Sequence, residues 1–310
     1  MGWSRVRRRV LLTAGGVCAL LAIAAPAQAD LTQVPVKNNP FVDETYGAAS
    51  DTWLVFTRNS VAHPKDYALY SQLLTGGPVV RVNPLRTRGY PGSIEGSSLI
   101  YQQVNRGQSD IRMYDLDTQT RSLPPAGINT SQWEYEVSMT PDWILFVRSG
   151  NGSDRVMLYD RAGQTFEQIG SVDWNRRHTA AIYDAQVNGQ YAAWTRCTSR
   201  SACQVKRRDL TTATTTGVPT KATKVDYASS VGADGTVFYA RSGRNCGASV
   251  RLRAYTLAGA DSLLVEFKDG VDVLSSNTYS GTTADDVYYA KFPCKSGQTD
   301  LYKISSPLPN

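Results

Sequence analysis

Trp133-Glu-Tyr-Glu-Val-Ser-Met-Thr-Pro141-Asp142-Trp-Ile-Leu-Phe146-Val-Arg148, then Ser-Gly-Asn-Gly, then Arg155-Val-Met-Leu-Tyr159-Asp160, is the stretch whose reading decides the fold. Apolar and aromatic residues alternate or run together in short blocks, and Pro-Asp and Ser-Gly-Asn-Gly punctuate them. Blocks of this length between turn residues read as three short strands.

The pattern recurs six times. Its central aromatics are Phe56, Tyr101, Phe146, Trp194, Tyr239 and Tyr289, at intervals of 45, 45, 48, 45 and 50. Two residues beyond them stand Arg58, Gln103, Arg148, Arg196, Arg241 and Lys291. Before them come Tyr46, Tyr90, Tyr135, Tyr183, Tyr227 and Tyr279, and after them Tyr70, Tyr114, Tyr159, Arg208, Tyr255 and Tyr302. Columns that keep step at such a period, with several strands per unit, mark a propeller. Outer strands are expected at Pro78–Asn83, Thr120–Leu123, Thr165–Gly170, Thr214–Val218 and Ser262–Phe267. The sixth unit lacks one, and Leu31–Val36 reads as the strand that supplies it. The expected fold is all-β, a single six-bladed β-propeller over residues 30–310, closed by an N-terminal strand added to the last blade. Such closure covers edges that would otherwise pair with other chains.

The repeat resembles the TolB-type, or WD40-like, propeller repeat. The likeness lies in Ser138-Met-Thr-Pro-Asp142 before an aromatic strand, in Val156-Met-Leu-Tyr159-Asp160, and in the echoes Gly232-Ala-Asp-Gly235 and Met113-Tyr-Asp115. It implies an exported propeller used for binding proteins or other ligands.

Residues 1–29 read as a secretory signal: Arg5, Arg7, Arg8 and Arg9, an apolar run from Val10 to Ala25, and Ala27-Gln28-Ala29 as cleavage site. Removing them takes four basic residues and no acid. The remainder holds 29 basic against 27 acidic residues, near +2. That is no basis for nucleic acid binding, and no later run is apolar enough for a membrane span. A monomer without cofactor or metal is expected.

Cys197, Cys203, Cys246 and Cys294 remain, an even number in a chain read as exported, which suggests disulfides. Blade order pairs Cys197 with Cys203 within one loop, and Cys246 with Cys294 between neighbouring blades. A zinc site lacks Cys-x-x-Cys spacing.

If Pro141-Asp142 is the turn, Tyr135 lies opposite Arg148, and the same register sets Tyr227 opposite Arg241. One rim of the channel then carries tyrosines and cations, fit for an anionic or sugar ligand or an acidic protein loop. The alternative is structural: each pair is a cross-strand stack, or each Arg pairs with a carboxylate such as Glu136, Asp184 or Asp226. The loops of that rim add Trp133, then Arg86, Arg88 and Tyr90 in Pro84–Gly92, then Trp174, Arg176, Arg177 and His178 in Ser171–Ala181, and His63, Lys65 and Asp66 in Val61–Asp66. Trp, Tyr and Arg are common interface anchors. The expected binding rim is therefore Tyr90, Trp133, Tyr135, Arg148, Trp174, Arg176, Arg177, His178, Tyr183, Arg196 and Arg241.

Two histidines exclude a multi-histidine metal site, and no Gly-x-Ser-x-Gly, His-Glu-x-x-His or phosphate loop occurs. The sequence thus points to a secreted, non-catalytic module that binds another extracellular or cell-wall protein. The alternative is a carbohydrate-active enzyme using carboxylates at the channel mouth.

Overall fold

A computed structural model of the chain describes residues 33–37, 42–60, 63–221, 223–243, 248–267, 276–279, 286–291 and 299–304. The expected signal segment lies outside them, as do Cys246 and Cys294. Among the described residues the fold is an all-β propeller without helices.

Strand β1 (Gln33–Lys37) comes first. Five four-stranded sheets follow, each made of strands consecutive in the chain. The first holds β2 (Val42–Ala49), β3 (Trp53–Ser60), β4 (His63–Leu73) and β5 (Val80–Arg81). The second holds β6 (Arg88–Glu95), β7 (Ser98–Asn105), β8 (Gln108–Asp115) and β9 (Thr120–Ser122). The third holds β10 (Trp133–Met139), β11 (Trp143–Gly150), β12 (Ser153–Asp160) and β13 (Thr165–Asp173). The fourth holds β14 (Ala181–Asn188), β15 (Tyr191–Ser199), β16 (Ala202–Asp209) and β17 (Thr214–Gly217). The fifth holds β18 (Val225–Val231), β19 (Val237–Ser242), β20 (Val250–Tyr255) and β21 (Asp261–Phe267). A further sheet joins β22 (Ser276–Tyr279), β23 (Asp286–Lys291) and β24 (Asp300–Ile304) to β1, in the order β1-β24-β23-β22. Gln33 stands opposite Ile304 and Val34 opposite Lys303, antiparallel.

The second strand of each sheet is covered on both faces by neighbouring sheets, so its sequence is a run rather than an alternation. Ile144 to Val147 are all buried, and the six central aromatics are each 2% exposed or less. Each removes a large apolar surface from water, about 2 kcal/mol apiece. The core is divided among seams between adjacent sheets. One cluster joins Leu145, Val156 and Val172 to Ile182 and Trp194. Another joins Leu54 and Phe56 of the first sheet to Tyr288 and Leu301 of the sheet that contains β1.

The innermost strand of each of the five consecutive sheets slips register by one residue against its neighbour. The slips fall after Thr45, Pro91, Tyr135, Tyr183 and Tyr227. A bulge leaves a residue out of the ladder and reverses which residues share a face beyond it. From the Pro141-Asp142 turn the expected register holds through Met139 opposite Ile144 and Ser138 opposite Leu145. Past the bulge it shifts, and Tyr135 faces Val147 while Glu134 faces Arg148. In the fifth sheet Asp226, not Tyr227, faces Arg241. The expected Tyr–Arg pairs are therefore replaced by carboxylate–arginine pairs.

Candidate functional site

Those pairs fix what the arginine column does. Arg241 is 4% exposed. Its Nε and Nη2 donate to the two oxygens of Asp226 at 2.7 and 2.9 Å, and Nη1 donates to Asp261 at 3.2 Å. Burial pushes the Asp226 carboxyl up, and the Arg241 bonds oppose that rise. Arg148 donates from Nε to Glu134 at 3.0 Å and from Nη2 to the carbonyls of Gly127 and Ile128. Arg58 reaches Glu44 at 2.9 Å in the first sheet. Glu44 and Glu134 are fully buried, so these charges hold the inner ends of the blades. Arg148 and Arg241, expected on the binding rim, are engaged inside the protein. Arg196 is half-buried and donates from Nε to the Ser171 carbonyl at 3.0 Å.

Asp154 is a second internal anchor, unmarked in the sequence. It is 2% exposed. It accepts from the hydroxyls of Tyr135 at 2.9 Å and Ser149 at 2.7 Å, from Trp174 Nε1 at 2.9 Å, and from the Ile182 amide at 3.1 Å. Burial and the Asp154 charge push the Tyr135 phenol far above its usual range. Tyr135 and Trp174 are thus tied inward by their polar ends. Tyr90 lies in β6 rather than in a loop, with its ring 5.4 Å from that of Tyr67. His63, also expected in a loop, pairs with Ser60 at the tip of the β3–β4 hairpin.

Of the rim residues that reach solvent, Arg86 and Arg88 stand at the entry to the second sheet, and the others lie over the third and fourth sheets. Trp133, at the start of β10, is 49% exposed and Tyr183, near the start of β14, is 44% exposed. The segment between β13 and β14 presents Arg176, Arg177 and His178, all exposed. It is braced rather than loose. Asn175 accepts from the amides of Arg177 and Thr179, and its side-chain amide donates to Thr179 Oγ1 and to the Thr198 carbonyl. The Trp174 ring lies 5.5 Å from His178. Beneath the Thr198 contact, Cys197 and Cys203 are register partners in β15 and β16 and form a disulfide. The expected bridge exists, in paired strands rather than in a loop.

On the channel side of the same two sheets, Glu136 and Asp184 occupy the bulges of β10 and β14. Both have positive φ, 48° and 53°. The Asp184 amide donates to the Glu136 carboxyl. Burial first, then the Asp184 charge, pushes Glu136 up to about 8. Tyr183 is raised as well, by burial and then by Asp154, Asp184 and Glu136, with Arg200 opposing. The sequence named Glu136 and Asp184 among several carboxylates; the bulges of β10 and β14 bring these two together, whereas Asp226, ahead of the bulge of β18, pairs with Arg241 in the interior. Among the described residues no cluster of His, Cys, Asp and Glu is arranged to hold a metal.

A cavity of about 360 Å³ lies at the opposite mouth, where the inner strands end. Sequence reasoning placed its candidates at the rim where the inner strands begin and missed this one, reading Ser138-Met-Thr-Pro-Asp142 and Gly232-Ala-Asp-Gly235 as marks of the repeat rather than as a lining.

No family model matches the sequence, and no curated protein does. Solved structures do. A protein assigned as TolB of Agrobacterium tumefaciens superposes with TM-score 0.58 at 14% identity, covering 89% of this chain and 93% of that one. TolB from Acinetobacter baumannii gives 0.52 at 13%, covering 87% of this chain, which spans 65% of the TolB chain. The β-propeller domain of the Trilobed protease from Pyrococcus furiosus gives 0.50 at 11%, covering 85% and 95%. Identity this low speaks to the fold, and in its fold the chain is a TolB-like β-propeller.

Proposed function

We propose that the protein is a secreted, non-catalytic binding module that receives a partner at one mouth of its channel, over the third and fourth blades. The observation that carries this reading is the braced segment with Arg176, Arg177 and His178 beside the exposed rings of Trp133 and Tyr183. Aromatic and arginine side chains on a rigid support are what interface anchors consist of, because little conformational entropy is lost on contact. The cations select an acidic segment, here of an extracellular or cell-wall protein. The disulfide supports export, since such bonds persist in oxidising compartments. For the architecture, we infer six blades closed by β1, supported by the β1–β24 pairing and by the apolar seam between that sheet and the first.

The experiment is cross-linking to culture-medium and cell-wall proteins, with contacts mapped by mass spectrometry. Arg176→Ala with Arg177→Ala should melt like the wild type and lose the partner whose cross-links fall on residues 174–178. Equal capture by the double variant overturns the reading.

The Glu136–Asp184 contact favours one second reading, a carbohydrate-active enzyme with these carboxylates as acid and base. Turnover of an oligosaccharide panel, abolished by Glu136→Gln or Asp184→Asn, would establish it.

A further inference from the structure

The arginine column breaks in the fourth blade. Arg58, Arg148 and Arg241 each stand opposite a buried carboxylate on the inner strand, Glu44, Glu134 or Asp226. Arg196 holds the same place in β15 and faces Ile182 instead. Its Nε donates to the Ser171 carbonyl, a neutral acceptor, and among the described residues no carboxylate pairs with it.

A second cation joins it. Trp194 and Arg196, two apart in β15, reach Gly170 and Ser171 of β13 in the third blade. In β16, Lys206 stands opposite Trp194 and Gln204 opposite Arg196, so these side chains share the face turned to that blade. Lys206 Nζ donates to Gln204 Oε1 at 2.6 Å, again a neutral acceptor. Burial, then the Arg196 charge, pushes the Lys206 amine below its usual value. The acid on β13 that reaches across the seam, Glu167, is held by Arg208 at 2.6 Å. A third donor lies deeper: Trp194 Nε1 is buried without an acceptor. Two glycines keep side chains out of the seam. A Cβ on Gly170 would stand 2.9 Å from the Trp194 ring, and one on Gly217 would stand 2.5 Å from Gln204 Nε2 and 3.3 Å from Lys206 Nζ.

We propose that Arg196 and Lys206 form an anion site in the seam between the third and fourth blades, for a phosphate group. Two half-buried cations on neutral acceptors leave two positive charges unmatched, and like charges this close repel. A dianion removes both the repulsion and the mismatch. A tetrahedral phosphate also offers separate oxygens to a guanidinium fork and an ammonium, whereas a carboxylate carries half the charge. The group can be a free phosphate ion or a phosphate monoester on a larger molecule. The site stands apart from the braced segment at residues 174–178 and does not rest on its role.

Calorimetric titration at low ionic strength with inorganic phosphate, glycerol 3-phosphate and acetate tests this and separates the two sources. Binding of inorganic phosphate alone supports a free ion, and binding of glycerol 3-phosphate supports a monoester. Acetate should bind at least tenfold more weakly than the better phosphate probe. Lys206→Gln should weaken that probe about tenfold, the loss of one charge-assisted bond. Ile182→Glu, which supplies the acid that the other blades place opposite this arginine, should abolish binding with both cations kept. Arg176→Ala with Arg177→Ala should leave it intact, so failure of the rim reading and failure of this one are told apart. Absence of binding by both phosphate probes, equal binding by Lys206→Gln, or acetate bound as tightly as phosphate overturns the proposal. Lys206→Gln changes a half-buried residue held by one side-chain bond, so it decides the matter even if Ile182→Glu does not fold.

Discussion

Arg241 and Asp226 show how one residue's neighbourhood sets its role. Both are buried, so removing one leaves the other as an uncompensated charge in the interior. Arg241→Met is expected to lower stability by about 3–5 kcal/mol in urea titrations at neutral pH. The loss should shrink in acid, because a lone buried Asp226 is neutralised by protonation. Glu136 makes a different prediction. Its folded value is raised from the usual 4.5 to about 8. Between those values the folded protein holds a proton that the unfolded chain has released. The stability from this group is therefore complete below about 4.5 and is lost as pH rises through about 8. Urea midpoints at pH 5 and pH 8.5 should differ more in the wild type than in Glu136→Gln. An equal difference in both proteins would mean that the group is not held protonated. The sequence offered Asp226 as an arginine's partner alongside Glu136 and Asp184, but residue type alone did not tell which of the three would be one. Glu134, Glu136 and Asp226 are all acids beside an inner-strand tyrosine, and only the bulge decides which of them meets an arginine.

Strands were the legible elements. Periodic aromatics located the second and third strands, because burial on both faces demands apolar runs there. Outer strands came out shorter or longer than expected, as with β5 at two residues and β13 at nine. Edge strands bury little, so their sequence is weakly constrained. The inner-strand bulges left no signature that turn arithmetic could detect, and the displaced Tyr–Arg register followed from that. Gly92 is a bulge residue whose lack of a side chain has a plain reason. Gly92→Ala would drive a methyl group into two carbonyls, and a cost of about 3 kcal/mol is expected from overpacking against backbone. The disulfide acts at the same scale. It closes a loop between residues six apart, worth about 2 kcal/mol in the chain-entropy view. Cys197→Ser with Cys203→Ser should lower the melting temperature modestly. It should also speed amide exchange at Thr179, because Asn175 leans on the Thr198 carbonyl of that hairpin.

At the scale of the molecule, repetition made the architecture readable and left the ligand unread. A feature present in every blade serves the ring; recognition needs what differs between blades, and that lies in turns and in the segment at residues 174–179. The six-bladed reading has its own test. Removing residues 1–37 would uncover the outer edge of β24, an open template for another chain. The truncated protein should unfold at lower urea and self-associate, as read by sedimentation, while the wild type remains monomeric. The shared sheet also has a mechanical meaning. Gln33 and Ile304 stand at the same end of an antiparallel pair, so tension applied through the chain on either side would peel the pair apart one rung at a time rather than shear it. A copy tethered at both ends would yield there first under modest force, while the five sheets made of consecutive strands stayed shut.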